Sequence, residues 1–230
     1  MAGAGSPSGG MTGPVVAAFD FDGTLVWGDS LVPFLVLACG VPATARALAG
    51  QAAPVLSSLA RSGHAGRDAT KARILARLLA GRPHDEVAGI AEAYGARLAQ
   101  RVRPTMRARL EQHRAAGHSL VIISASPELY VAPAGRRLGV DAVLATRLEV
   151  GIDGLLTGRI EGANCRGEEK TARLRAWLGC EPAVLHAYGD SAGDAHLLAM
   201  ADTPCWVGRR AVLASRRHGG RGAAPRPGLR

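Results

Sequence analysis

Three short apolar runs each end on acids or hydroxyls. VVAAF (15–19) leads into Asp20 and Asp22, LVII (120–123) into Ser124 and Ser126, and AVLHAY (183–188) into Asp190, Ser191 and Asp194. Runs of this length and β-propensity read as buried strands. Amphipathic helical stretches follow them, at 127–138, 168–178 and 192–200, and Gly139 and Gly179 stop the first two. Strand and helix in alternation specify a parallel sheet with crossover helices. In such sheets ligands bind beyond the carboxyl ends of the strands. The polar residues gathered at three strand ends therefore mark one candidate site.

The rest of the chain fits around that frame. AVLA (142–145) reads as a further strand, and LEV with LLTGRI, joined across Gly151–Gly154, as a β-hairpin. Pro104 opens a helix that Gly117 closes. Between the first strand and Pro104 the pattern is helical, broken at 40–42, 62–63 and 81–83, with no convincing strand. The expected organisation is a core of 14–25 and 104–208, an inserted helical cap of 26–103, and disordered ends at 1–13 and 209–230. Met11 is then an alternative start. Seven arginines of the net +9 lie in the last 22 residues, and subtracting them leaves +2 elsewhere. With aromatics at 4%, a base-stacking nucleic-acid surface is not expected. The first residues lack the basic start and apolar run of a secretory signal. No run has spanning quality, since 31–60 is broken by Pro33, Gly40, Pro42, Gly50 and Pro54. The four cysteines form no C-x-x-C pair, which fits a reducing, cytoplasmic location.

Carboxylates crowded at one sheet edge need a cation, and oxygen-only ligands favour Mg²⁺. Asp20, Asp22, Asp190 and Asp194 are the candidate ligands. Asp20 is also placed as a nucleophile, and Asp22 as general acid and then base. Hydroxyls of Thr24 and Ser124 are candidates for phosphate oxygens. Lys170, one of only two lysines in the chain with Lys71, is a candidate to neutralise charge there. Ser126, ahead of Pro127, is expected to cap a helix.

DFDGTL (20–25), IISAS (122–126), Lys170 and YGDSAGD (188–194) resemble, in order and spacing, the four motifs of the haloacid dehalogenase superfamily of phosphohydrolases. The likeness covers roughly 15–207. It implies a doubly wound, Rossmann-like α/β core with a helical C1 cap. The hairpin ahead of the lysine helix is similar to the phosphoserine phosphatase-like branch, subfamily IB. The resemblance further implies an aspartyl-phosphate on Asp20, acid–base work by Asp22, phosphoryl binding by Ser124, Ala125 and Lys170, and Mg²⁺ held by Asp20, the Asp22 carbonyl and Asp190, with Asp194 in support. The second aspartate separates the chain from the dehalogenases, which lack it and need no metal. Phosphoserine phosphatases usually carry Ser-Gly-Gly where this chain has Ser124-Ala125-Ser126, and Glu where it has Asp29. Asp29 is the counterpart for a substrate amino group, and Arg67, Lys71 and Arg73 are alternatives for a substrate carboxylate. The expectation is a small phosphorylated substrate, phosphoserine first. A membrane-associated lipid-phosphate phosphatase, similar to phosphatidylglycerophosphatases, and a catalytically retired binding protein are the alternatives.

Overall fold

The computed structural model describes residues 13–50, 65–179, 182 and 184–208. The two terminal segments and the break at 62–63 anticipated above lie outside the described residues. Strands β1 (Val15–Phe19), β2 (Ser119–Pro127), β3 (Ala142–Thr146), β6 (Val184–Gly189) and β7 (Thr203–Trp206) form one parallel sheet in the order β3-β2-β1-β6-β7. Strands β4 (Leu148–Val150) and β5 (Leu156–Ile160) make a separate antiparallel hairpin. The helices are α1 (Leu31–Cys39), α2 (Val41–Ala49), α3 (Ala65–Leu79), α4 (His84–Gln100), α5 (Pro104–Ala115), α6 (Glu128–Leu138), α7 (Glu168–Leu178) and α8 (Ala195–Met200).

Strand alternation splits the core in two. Ala17, Phe19, Leu120 and Ile122 face one side of the sheet and pack with Leu110 and Val131, from α5 and α6. Val16, Ala18, Val121 and Ile123 face the other side and pack with Leu174, Leu197 and Leu198, from α7 and α8. With both faces covered, the strands are apolar throughout instead of alternating with polar residues. The fold is thus the expected doubly wound α/β core.

The helical insert leaves and rejoins the core at adjacent points. Val26 bridges Val102 in antiparallel fashion, and the Arg103 amide donates to Leu25 O at 2.8 Å. The Arg103 guanidinium donates to Gly23 O at 2.7 Å and lies 3.7 Å over the Trp27 ring. Helix α4 then runs against α6 at backbone contact. A Cβ on Gly95 would stand 2.5 Å from Tyr130 O. Phe34, Tyr94 and Tyr130 pack as an aromatic triad across this junction, so insert and sheet share one apolar cluster.

Two local expectations are corrected. TPCW (203–206) forms the edge strand β7, unrecognised because it is short, contains Pro204 and has little apolar alternation. Pro204 is tolerated because an edge strand leaves one side of its backbone unpaired. The stretch 192–200 is a 3₁₀ turn, Ala192–Asp194, followed by α8, because Ser191 and Asp194 cap each other reciprocally at its start.

Candidate active site

The three strand ends converge as the topology requires. Asp20 follows β1, and its amide donates to Tyr188 O on β6 at 2.9 Å, which fixes the turn against the neighbouring strand. The side chains of Asp20, Asp22, Asp29, Lys71, Ser124, Lys170, Asp190 and Asp194 line one cavity of about 430 Å³, together with Ala125. Gly23 allows this convergence. It has φ +78°, and a Cβ there would stand 2.2 Å from Asp190 Oδ2.

Lys170 lies at the base, 1% exposed. Its Nζ donates to Asp20 Oδ1 and to Asp194 Oδ1, both at 2.6 Å. Burial works against the ammonium, but the two carboxylates prevail and hold its pKa above the ordinary lysine range. Burial also raises the Asp20 carboxyl, to about 7, against the downward pull of Lys170. Asp194 ends below the usual carboxylate range, because the Lys170 charge and its hydrogen bonds outweigh burial. Its Oδ2 accepts from the amides of Asp190 (3.2 Å) and Ser191 (2.9 Å) and from Ser191 Oγ (2.8 Å). Asp194 therefore braces the loop and the lysine, while the Asp190 carboxylate faces the Asp20 turn.

Asp22 has different partners. Its Oδ2 accepts from Ser126 Oγ at 2.5 Å and from Ser30 Oγ at 2.9 Å, whereas its Oδ1 is buried without a partner among the described residues. Burial raises its pKa, and the serine hydroxyls oppose that shift only in part. The Ser30 hydroxyl is also 2.9 Å from Tyr130 Oη. With one proton to give, Ser30 donates to Asp22 and accepts from the tyrosine. Ser126 is thus no helix cap. Pro127 occupies the N-cap of α6 without a side-chain bond, and the Ser126 hydroxyl is drawn to the carboxylate instead.

Several candidates land elsewhere than expected. Thr24 is fully buried, its hydroxyl has no partner among the described residues, and it lines no part of the cavity. Arg73 is exposed on the outer face of α3, beside Thr70, and lines a different groove with Gly158 and Arg159. Two residues along a helix is over half a turn, so Arg73 faces away when Lys71 faces in. The Arg67 side chain lies outside the described residues. Asp29 does line the cavity, but its Oδ1 caps α1 by accepting the amides of Leu31 (2.9 Å) and Val32 (3.2 Å).

The sequence reading also missed a second polar layer. Lys71 Nζ donates to Ala125 O, and to Asn164 Oδ1 at 2.7 Å. Asn164 in turn donates to Asp68 Oδ1 at 2.7 Å and accepts from Thr146 Oγ1 at 2.8 Å. Burial lowers the Lys71 pKa to about 8. Arg166 also lines the cavity, and its buried Nε lacks a partner among the described residues. The signal for Asn164 and Arg166 was their position on the loop leading to the Lys170 helix. Ser30, Asp68 and Thr146 had no such signal.

The donors fit a hard cation. Carboxylate oxygens of Asp20, Asp190 and Asp194 lie within 4.8 Å of one another, with no nitrogen or sulfur among them.

Comparison with known proteins agrees with this geometry. The family described as haloacid dehalogenase-like hydrolase matches residues 17–199. Protein CicA of Caulobacter vibrioides is 37% identical over 190 residues, covering 82% of this chain and 84% of its own. A phosphoserine phosphatase of Mycobacterium tuberculosis is 31% identical over 206 residues, or 86% of this chain and 66% of its own. A solved structure of a protein of unknown function from Bordetella pertussis Tohama I superposes with a TM-score of 0.75 at 26% identity, covering 90% of this chain and 97% of that one. With both motif aspartates on one turn and the family match spanning all four motifs, the chain belongs to the haloacid dehalogenase-like hydrolase family, on its phosphomonoester hydrolase side.

Proposed function

We propose that the protein is a Mg²⁺-dependent hydrolase of small phosphomonoesters that works through an aspartyl-phosphate on Asp20. The observation that carries this reading is the contrast between two carboxylates on one turn. Burial raises both carboxyls, but Asp20 is paired with a buried ammonium that opposes the shift and favours its carboxylate form, whereas the half-buried Asp22 has only hydroxyl donors. Environments that separate two carboxylates assign them different roles.

Lys170 holds Oδ1 of Asp20 and leaves Oδ2 to attack phosphorus, forming the O–P bond as the ester P–O bond breaks. Asp22 delivers its proton to the leaving alkoxide. The carboxylate so formed takes a proton from water, which attacks the aspartyl-phosphate and releases phosphate and free Asp20. Asp20, Asp190 and the Asp22 carbonyl would hold Mg²⁺, with Asp194 in support through the Lys170 and Ser191 contacts. Bound there, Mg²⁺ would offset negative charge on the phosphoryl oxygens. Ser124 Oγ and the backbone of Ala125, at the end of β2, are suited to the phosphoryl oxygens.

Phosphoserine is the first candidate substrate. The cavity offers acids, Asp29 and Asp68, to an ammonium, and Lys71 and Arg166 to a carboxylate. The mycobacterial relative named as a phosphoserine phosphatase points the same way. A second reading, a lipid phosphate, is favoured by the exposed Trp27, Val32, Leu37 and Val41 on and beside α1, whose Leu31 lines the cavity mouth. Among the described residues no helix is long and apolar enough to cross a membrane.

The test is turnover of an aryl phosphate and a panel of phosphorylated metabolites, with Mg²⁺ and with chelator. The expected result is Mg²⁺-dependent hydrolysis that Asp20→Asn abolishes while the circular dichroism spectrum is unchanged. Full turnover in chelator, or in Asp20→Asn, would refute the mechanism. Co-sedimentation with anionic vesicles and hydrolysis of a lipid phosphate, but of no small ester, would select the second reading.

A further inference from the structure

Away from the carboxylates, three histidines from three separate elements meet beneath the sheet. His113 lies in α5, His118 just ahead of β2, and His186 within β6. Their ring nitrogens come within 4.8 Å of one another. His113 Nδ1 is 2.8 Å from His118 Nδ1, and its Nε2 is 2.9 Å from Tyr188 Oη. His113 is buried, and the other two are partly exposed. His186 precedes Asp190 by four residues, about 13 Å along a strand, so this cluster is separate from the Mg²⁺ candidate.

We infer that His113, His118 and His186 form a binding site for a late first-row divalent metal ion of the Zn²⁺ type. Three imidazoles without carboxylate or thiolate suit Zn²⁺, Cu²⁺ or Ni²⁺ and disfavour Mg²⁺. Two ligands at Zn–N distances of 2.0–2.1 Å in tetrahedral geometry stand about 3.3 Å apart. The two Nδ1 atoms therefore need to separate by only about half an ångström. They now share one proton. On metal binding that proton passes from Nδ1 to the Nε2 of the ring that carries it, so the lone pairs of both Nδ1 atoms turn to the metal. The Nε2–H of His113 then donates to Tyr188 Oη, a supporting contact of the kind that orients metal-bound imidazoles.

The environment of two of the rings favours the form that ligates. Burial and the neighbouring His186 and His118 hold the His113 pKa at about 4, so that ring is neutral near pH 7, and burial also lowers the pKa of His186. Arg109 opposes a cation at His113, whereas Asp202 favours one at His186. A fourth position is left to water. Occupancy would clamp the α5–β2 connection to β6. The same Tyr188 stacks on Phe19 at 4.5 Å and accepts the Asp20 amide through its carbonyl, which ties the clamp to the strand ends.

The full chain, stripped with chelator, would be titrated with Co²⁺ in excess Mg²⁺. The expected result is one equivalent of Co²⁺ with the visible absorption of a tetrahedral site, displaced by Zn²⁺. A melting temperature rising with the logarithm of free Zn²⁺ would accompany it. His118→Ala and His186→Ala should abolish the band, and Tyr188→Phe should weaken binding about 10- to 100-fold. Asp190→Asn should leave the band intact. If His186→Ala fails to fold by circular dichroism, His118→Ala decides alone, since its ring is partly exposed. Absence of a band in the parent chain would overturn the inference, and so would a band that survives His118→Ala.

Discussion

Lys170→Met tests the base of the site most directly. The substitution keeps the apolar stem of a side chain that is 1% exposed and deletes an ammonium 2.6 Å from each of two carboxylate oxygens. At an effective dielectric of about 20, each contact is worth roughly 6 kcal/mol of Coulomb attraction. Desolvation of three charges offsets most of that sum, so the net contribution of the intact triad is far smaller. Breaking it is a different matter. Removing one partner leaves buried, uncompensated charge, at a cost of about 3–5 kcal/mol. In the variant both carboxyls should titrate above their unfolded values near 3.9. Groups with raised folded pKa values bind protons preferentially in the native state, so the stability deficit should shrink as pH falls from 8 to 6. Mg²⁺ should shrink it too, by supplying the missing positive charge. The assay is urea unfolding at pH 6 and 8, with Mg²⁺ and with chelator. A variant within about 1 kcal/mol of the parent at pH 8 in chelator would refute the electrostatic account. So would a deficit that deepens at pH 6.

Asp22→Asn should slow hydrolysis of alkyl phosphates by about 10²- to 10⁴-fold and spare good leaving groups in the first step; steady-state rates across a leaving-group series check this. Lys71→Ala should raise KM for phosphoserine, whereas Arg73→Ala, on the outer face of α3, should change neither KM nor kcat beyond about twofold. Gly23→Ala should cost about 1–2 kcal/mol for a left-handed residue and displace the Asp190 carboxylate, seen as a higher Mg²⁺ requirement for turnover.

The core of the site was legible because strand ends are. A parallel sheet turns a one-dimensional pattern, apolar run followed by polar residue, into a three-dimensional edge, and Asp20, Ser124 and Asp190 fell on that edge without further assumption. Lys170 was legible for a different reason, rarity among 28 basic residues. The helix boundaries were readable where glycine or proline set them. Gly139 and Gly179 both adopt left-handed conformations at helix ends, where a Cβ would be strained. By contrast, β7 was lost because an edge strand faces weaker compositional demands than a central one.

What stayed hidden depends on contacts between residues far apart in sequence. Ser126 looked like a cap because capping is a local interaction that any reader of the chain can see. Its partner is Asp22, 104 residues away, and the bond to that carboxyl group fixes where the hydroxyl points. The same holds for Lys71, whose bonds span 54 and 93 residues. Helix periodicity could place Lys71 and Arg73 on different faces, but it could not say which face meets the sheet. That was settled by Ile74, Leu75, Leu78 and Leu79, which pack into the core and turn Lys71 toward the cavity. Asp29 shows the converse limit. Its position nine residues after Asp20 suggested a substrate contact, yet the local demand of an α1 start takes one of its oxygens. The second oxygen takes no part in that cap, so any ammonium recognised there meets a carboxylate whose orientation the helix has already fixed.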